Sequence, residues 1–343
     1  MQDIKDLSLK ELELVFKGWG VPTYRAQQVF SWIYERGAHT FEQMSNLPLD
    51  LRLKLKDNFY TLSLKIAKIL RSQDGTAKFL FELKDKNFVE AVSIPVKERI
   101  TACLSTQVGC KFACKFCASG LLGFKRNLTC GEIIEELLYL KQNLKQANIT
   151  HAVFMGIGEP FENYDNVLKA IRIINSKYSF NIGARRITVS TSGVVPAIKR
   201  LADENLQIEL SISLHASDDK TRALLMPINK KYPLKELILA CSEYIKKTGR
   251  QITFEYVLIN KINSDLQNAR KLSTILKGLK LCKVNLIPAN PIEELKIEPP
   301  KEAEVLLFRD YIIRQGINVT LRRPRGRDIE AACGQLKLRY DSK

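Results

Sequence analysis

Cys110, Cys114 and Cys117 stand at the spacing C-x3-C-x2-C, in a segment that also carries Cys103, Phe116 and the run Gly123-Phe-Lys-Arg-Asn127-Leu128. Cysteine thiolates at short intervals are the ligands of iron–sulfur clusters. A four-iron cluster has four outer positions and the triplet fills three, which leaves one iron open. Open positions belong to metal sites that do chemistry, closed ones to structural sites. The competing readings are a zinc site or three core thiols. Against zinc, the triplet lacks the paired C-x2-C halves of a zinc ribbon.

Other residues able to do chemistry are scattered, and each has an ordinary reading beside the functional one. Glu90 lies between apolar neighbours in a strand-like run, where it is either a proton acceptor or a glutamate on the wet face. In Met155-Gly-Ile-Gly158-Glu159-Pro160 the small residues let backbone approach a ligand, and Glu159 can accept from an ammonium. Its Gly158-Glu159-Pro160 also makes an ordinary strand-to-helix turn. Ser190-Thr-Ser-Gly193 is a hydroxyl-rich turn that caps a helix or binds a ligand. Ser213-Leu214-His215 brings in one of three histidines, and Ala289-Asn290-Pro291 reads as a turn. Arg322, Arg323, Arg325 and Arg327 suit phosphate. Cys333, alone near the end, is either a buried apolar residue or a nucleophile.

Such residues act together only if a scaffold gathers them. From about 100 to 324, strand-like runs at 149–155, 186–190, 208–214, 252–259, 283–288 and 317–321 alternate with helical stretches near 131–146, 165–177, 194–204, 233–247, 265–277 and 301–315. This rhythm predicts parallel β/α units. A closed eight-fold barrel typically needs about 250 residues. An open, partial barrel of about six units is therefore expected, with active residues at the carboxyl ends of its strands. Residues 1–60 read as three helices, over 7–16, 24–34 and 47–59. They predict a small accessory domain that touches RNA or simply packs. Residues 61–99 predict a strand-rich linker, with strands at 78–83 and 88–94. A linker-like stretch at 293–300 and a tail at 325–343 complete the division.

Composition restricts the partners. Lys plus Arg number 54 against 37 Asp plus Glu, a net charge of +17, which favours a polyanion such as nucleic acid. Hydrophobic residues at 45% suffice for a sizeable core. The first residues form no apolar leader, and no run approaches the ~18 apolar residues of a membrane span. The expected location is the cytoplasm, where the eight cysteines serve as ligands, catalysts or core thiols in preference to structural disulfides.

The triplet with Phe116 before its last cysteine resembles the radical S-adenosylmethionine (SAM) signature. A longer set of motifs resembles the RlmN family within that superfamily: Val89-Glu90-Ala-Val-Ser-Ile-Pro95, Cys103-x-Ser-x-Gln-Val-Gly-Cys110, Gly123-Phe-x-Arg-Asn-Leu128, Met155-Gly-x-Gly-Glu-Pro160, Ser213-Leu-His215, Leu225-Met-Pro-Ile228 and Ala331-Ala-Cys-Gly-Gln-Leu336. The likeness spans nearly the whole chain. It implies an α/β fold, a partial (β/α)6 radical SAM barrel with a small N-terminal helical domain. It implies that Cys110, Cys114 and Cys117 hold one 4Fe-4S cluster, and that Gly158, Glu159, Ser190, Ser213, Leu214, His215 and Asn290 contact SAM. It makes Cys333 the carrier of the methyl group, Cys103 its resolving partner in a transient disulfide, and Glu90 the proton acceptor.

The implied activity is methylation of adenine carbon 2 in 23S rRNA and beside the anticodon of some tRNAs. Two SAM molecules are used per turnover, with an external electron donor of the flavodoxin type. The Cfr family, which methylates carbon 8, is the near alternative. A non-catalytic RNA-binding metal protein is the alternative of another class. One departure from the family pattern is Ala289, where an aromatic often precedes the asparagine.

Overall fold

The computed structural model describes residues 1–144, 148–291, 297–336 and 338. Residues 293–296 of the linker-like stretch, and 337 and 339–343 of the tail, lie outside the described residues.

The chain begins with a short strand, β1 (Gln2–Asp3), and helices α1 (Leu9–Gly18), α2 (Tyr24–Phe30) and α3 (Leu49–Asn58). Ser8 starts α1 through a capping box with Glu11, which satisfies two orphan amides. A π turn over Ser31–Glu35 prolongs α2, so the 24–34 expectation merges two helical forms. Strand β2 (Phe59–Tyr60) closes the unit by pairing parallel with β1. A fully buried Lys5 pins this unit to the rest. Its ammonium lies 2.8 Å from Asp3 and 3.2 Å from Glu135.

One ten-stranded sheet then carries the molecule. It starts with antiparallel strands β3 (Leu64–Arg71), β4 (Ala77–Leu83), β5 (Phe88–Val96) and β6 (Arg99–Cys103). The strand-rich 61–99 segment is thus continuous with the barrel sheet. After β6 come a hairpin, β7 (Gln107–Gly109) with β8 (Phe124–Asn127), and helix α4 (Cys130–Gln142). Strand β9 (His151–Phe154) returns parallel beside β6. The rhythm continues with α5 (Tyr164–Asn175), β10 (Ile187–Thr191), α6 (Val195–Leu201), β11 (Glu209–Ser213), α7 (Asp219–Leu225), α8 (Leu234–Thr248), β12 (Ile252–Leu258), α9 (Leu266–Leu276), β13 (Cys282–Pro288), α10 (Glu302–Arg314) and β14 (Asn318–Leu321).

From β6 to β14 every neighbouring pair is parallel, in the order β6-β9-β10-β11-β12-β13-β14. Six strands are each followed by helix, and β14 adds a seventh parallel strand at the open edge. The expected six-unit partial barrel is present. Its helices cover the sheet with one apolar face, as α5 does with Val167, Ala170, Ile171 and Ile174. Among the described residues no helix is long and apolar enough to cross a membrane.

Candidate active site

The three cysteines occupy the loop between β7 and β8. Short backbone bonds shape it: Cys110 N–H donates to Gly123 O at 2.9 Å, Lys115 N–H to Leu225 O at 2.9 Å, and Cys117 N–H to Cys114 O at 3.1 Å. All three thiols line one cavity, together with Gly158, Glu159, Ser190, Ser213, His215, Asn290 and Cys333. The strand-end residues singled out in the sequence therefore converge, with the exception of Leu214. Its side chain is buried in the core, and its carbonyl accepts from Arg222 Nε at 3.2 Å.

Burial pushes the thiols of Cys110 (up to about 12), Cys114 and Cys117 upward, and the neighbouring thiolates add to the effect. Such sulfurs ionise only with a cation that compensates them. Three part-buried thiols lining one shared cavity are a donor set of the kind that holds an iron–sulfur cluster.

The opposite wall is built from strand ends. Gly158 has φ +103°, and an added Cβ would stand 2.5 Å from Gln107 Cβ, so the position requires glycine. Next to it, Glu159 is buried. Its Oε2 accepts from Ser192 N–H at 2.8 Å and Ser192 Oγ–H at 2.6 Å, and its Oε1 from Phe161 N–H at 3.0 Å. Burial raises this carboxyl, and the hydrogen bonds from Ser192, Thr191 and Phe161 oppose the rise. His215 is buried with φ +54°, and its Nδ1 accepts from Val257 N–H at 3.0 Å. Its proton therefore sits on Nε2. Burial, then the nearby Arg222, brings it down to about 3, so the ring is neutral across the working range.

Cys333 arrives from the other end of the chain. Arg325 forms an ion pair with Asp74 at 4.0 Å, Gly326 N–H donates to Asp74 Oδ2 at 3.0 Å, and Arg327 Nε–H donates to Asn290 Oδ1 at 2.9 Å. Part of the arginine run expected to take phosphate thus docks the tail. Asn290 Nδ2–H in turn donates to Cys333 O at 3.0 Å. Ala118 N–H donates to Gly334 O at 2.7 Å, which ties the tail to the cysteine loop. Gly334, at φ +82°, has room for no Cβ, since Phe116 O would lie 2.9 Å from it.

Glu90 and Cys103 do not line the cysteine cavity. They lie on adjacent strands, on the sheet face that the tail covers. Cys103 pairs directly opposite Val92, and both pack with Val153, Ile157, Ala331 and Leu336. Burial pushes the Cys103 thiol up to about 12, with Cys333 adding to the rise and Arg322 opposing it. Cys103 and Cys333, 230 residues apart, are thus within electrostatic reach, and both are free thiols. The residue-by-residue reading of Glu90 as a wet-face glutamate is corrected. It is 2% exposed, because the tail covers what would be the solvent face of β5.

Several contributing residues were not singled out. Ser192 lies within the Ser190–Gly193 turn and holds Glu159. Arg222, fully buried, donates from Nη1 to Asn229 Oδ1 at 2.9 Å and from Nη2 to Ser192 O at 2.8 Å and Ser213 O at 3.2 Å. It clamps two strand ends beneath the site. An Arg222→Met variant leaves several buried acceptors unsatisfied and is expected to lose about 3 kcal/mol or more of stability, read from its denaturation midpoint. Glu255 also lines the cavity, and an acidic residue in mid-strand gave no local signal. Arg322 of the arginine run lines it too, rather than only facing phosphate.

A model described as the radical SAM superfamily matches residues 104–272, and one described as the ribosomal RNA large subunit methyltransferase N-terminal domain matches residues 2–61. A protein of Caldanaerobacter subterraneus subsp. tengcongensis named "Probable dual-specificity RNA methyltransferase RlmN" is 46% identical over 341 residues, 99% of each chain. One of the same name from Clostridium botulinum is 46% identical over 344 residues, the full length of both. The crystal structure of a radical SAM methyltransferase from Sphaerobacter thermophilus superimposes with a TM-score of 0.93 at 43% identity, covering 98% of this chain and 99% of that one. Likeness of this extent, over both the N-terminal unit and the barrel, places the chain in the RlmN family of radical SAM RNA methyltransferases.

Proposed function

We propose that this chain methylates carbon 2 of an adenine in 23S rRNA and of the adenine beside the anticodon in some tRNAs, with Cys333 as methyl carrier. The observation that supports this most is the position of Cys333: it lines the cavity of the three cysteines and lies within electrostatic reach of Cys103. Carbon 2 of adenine sits between two ring nitrogens and is electron-poor, so it does not attack a SAM methyl group. A thiolate does.

In this reading Cys110, Cys114 and Cys117 hold one 4Fe-4S cluster, and Gly158, Glu159, Ser190, Ser213, Leu214, His215 and Asn290 hold SAM. When bound, these groups would supply a methyl for Cys333 and, from a second SAM split with one electron, a carbon radical able to take a hydrogen atom from the S-methyl group. The Cys333-borne carbon then bonds to the adenine, Glu90 accepts the ring proton, and the surplus electron would return to the cluster. Cys103 Sγ bonds to Cys333 Sγ as the sulfur–carbon bond breaks, the carbon keeps the electron pair and takes up a proton, and the methylated base leaves. The electron that splits SAM comes from an external donor of the flavodoxin type in the cytoplasm, and the disulfide takes two electrons from a dithiol reductant. Residues 1–60 act as an RNA-binding accessory domain, 61–99 as the linker, 100–324 as the barrel and 325–343 as the tail that delivers Cys333.

Nucleoside mass spectrometry on 23S rRNA and tRNA incubated anaerobically with reconstituted protein, SAM and reductant tests this. Appearance of 2-methyladenosine is expected in both. 8-Methyladenosine, or no product with an intact cluster, would overturn it. The net charge of +17 leads to a second expectation. RNA affinity should fall on the order of a hundredfold or more between about 50 and 200 mM salt. A flat profile in a binding titration would count against a phosphate-contacting surface.

A further inference from the structure

Glu90 is paired with a cation that the mechanism above does not use. Lys78 on β4 is 4% exposed, and its ammonium lies 3.1 Å from Glu90 Oε1. In the β4–β5 register Leu80 stands opposite Glu90 and Lys78 opposite Val92, so the pair spans a diagonal. Lys78 Nζ also donates to the carbonyl of Glu330 at 3.2 Å, in the tail that carries Cys333. Glu90 Oε2 accepts from Leu338 N–H at 3.4 Å in the same tail.

Resting on the proposed role of Glu90, we infer that Lys78 is the positioning residue that aims Glu90 at the ring proton once the tail is docked. An ion pair held from one side by the tail fixes the direction of the Glu90 side chain. Among the described residues no other charged group takes its place. From β3 comes Lys68, which is exposed, and from the tail Asp328 and Glu330, which are acidic; all three line one cleft with Lys78 and Glu90. From α4 comes Glu136, which accepts from Ser105 N–H at 2.9 Å, while Ser105 Oγ–H donates to Glu90 O. From β6 comes the buried Cys103. Among the described residues, Lys78 is the one cation at ion-pair distance from Glu90. In the step itself the C–H bond of the adduct radical breaks, its electron pair stays on the ring and the proton goes to a Glu90 oxygen, while the one surplus electron would return to the cluster that gave one up in splitting SAM. Lys78 keeps its hydrogen bond to Glu330 O. The cleft reaches solvent at Lys68 and Asp328, both exposed, which gives the proton a way out.

The test isolates this step from release by Cys103. The full-length reconstituted Cys103→Ala protein is incubated with SAM, reductant and 23S rRNA transcribed with adenine deuterated at carbon 2. The covalent adduct is then digested and weighed at several times. In Cys103→Ala the adduct loses its deuterium. In Cys103→Ala/Lys78→Met the adduct still forms but loses its deuterium more slowly, by about a hundredfold. Lys78→Arg restores the original time course. Lys78→Gln, which keeps a hydrogen-bonding end, serves if the methionine variant fails to fold, with the same slowing expected. Superimposable time courses in the neutral variant and its parent would overturn the inference. Absence of any adduct in Cys103→Ala itself would instead overturn the proposed function.

Discussion

A Cys117→Ala variant is expected to purify without the brown colour of an iron–sulfur protein and to leave RNA unmethylated to the floor of the assay. The cysteine loop is held by backbone bonds, Cys117 N–H to Cys114 O and Ala118 N–H to Gly334 O, and these survive the loss of a sulfur. The change therefore removes a ligand without removing the loop. Two thiolates in a buried cavity are a poor grip for a four-iron cluster, since burial already pushes each of them toward the protonated form. Visible absorption and iron content after reconstitution check the first half, and nucleoside analysis the second. A coloured, active Cys117→Ala protein would move the ligand role elsewhere.

A Cys103→Ala variant is expected to stop one step later, with protein and RNA joined covalently. Its cluster site is untouched, because Cys103 packs against Val92, Val153, Ile157, Ala331 and Leu336, away from the three ligands. Cys333 is loaded and adds to the adenine, and no thiolate remains to free it. The adduct should appear as an RNA-shifted band that is resistant to denaturant and lost on nuclease treatment. The same logic predicts a pH dependence of release in the wild type. Burial holds Cys103 up to about 12, so at neutral pH only a small thiolate fraction attacks. Its population grows about tenfold per unit as pH rises toward that value. Release should accelerate in step, and stopped reactions between pH 7 and 9 would measure it. A Cys103→Ala protein that releases free methylated RNA would remove this cysteine from the chemistry.

The barrel was legible because its parallel strands are short apolar runs bounded by turns, and its helices bury one stripe. The cysteine triplet was legible because ligand spacing is local. Strand β3 was not foreseen, since a register shift between Ile66 and Lys68 breaks its alternation. Glu90 shows the limit more sharply. Its local pattern matches a half-exposed strand, and what buries it is a tail 248 residues later, through Leu338 and Glu330. Lys78 follows from the same cause: only when the tail is in place are a lysine and a glutamate on neighbouring strands both enclosed. The arginine run was read as phosphate-facing, and Arg325 and Arg327 instead hold that tail to Asp74 and Asn290. Local spacing carried the chemistry of single sites, whereas the packing of the tail, through Ala331 and Leu336, on Cys103 depends on contacts that no local pattern records.

The most direct measurement is the mass of the peptide containing Cys333 after the reconstituted protein has met SAM and reductant, first without RNA and then with it. One methyl group on Cys333 sulfur is expected before RNA is added. It should disappear as methyladenosine appears, and Cys333→Ala should show neither. A peptide that never gains the methyl, or one that keeps it through turnover while RNA is methylated, would contradict Cys333 as the carrier.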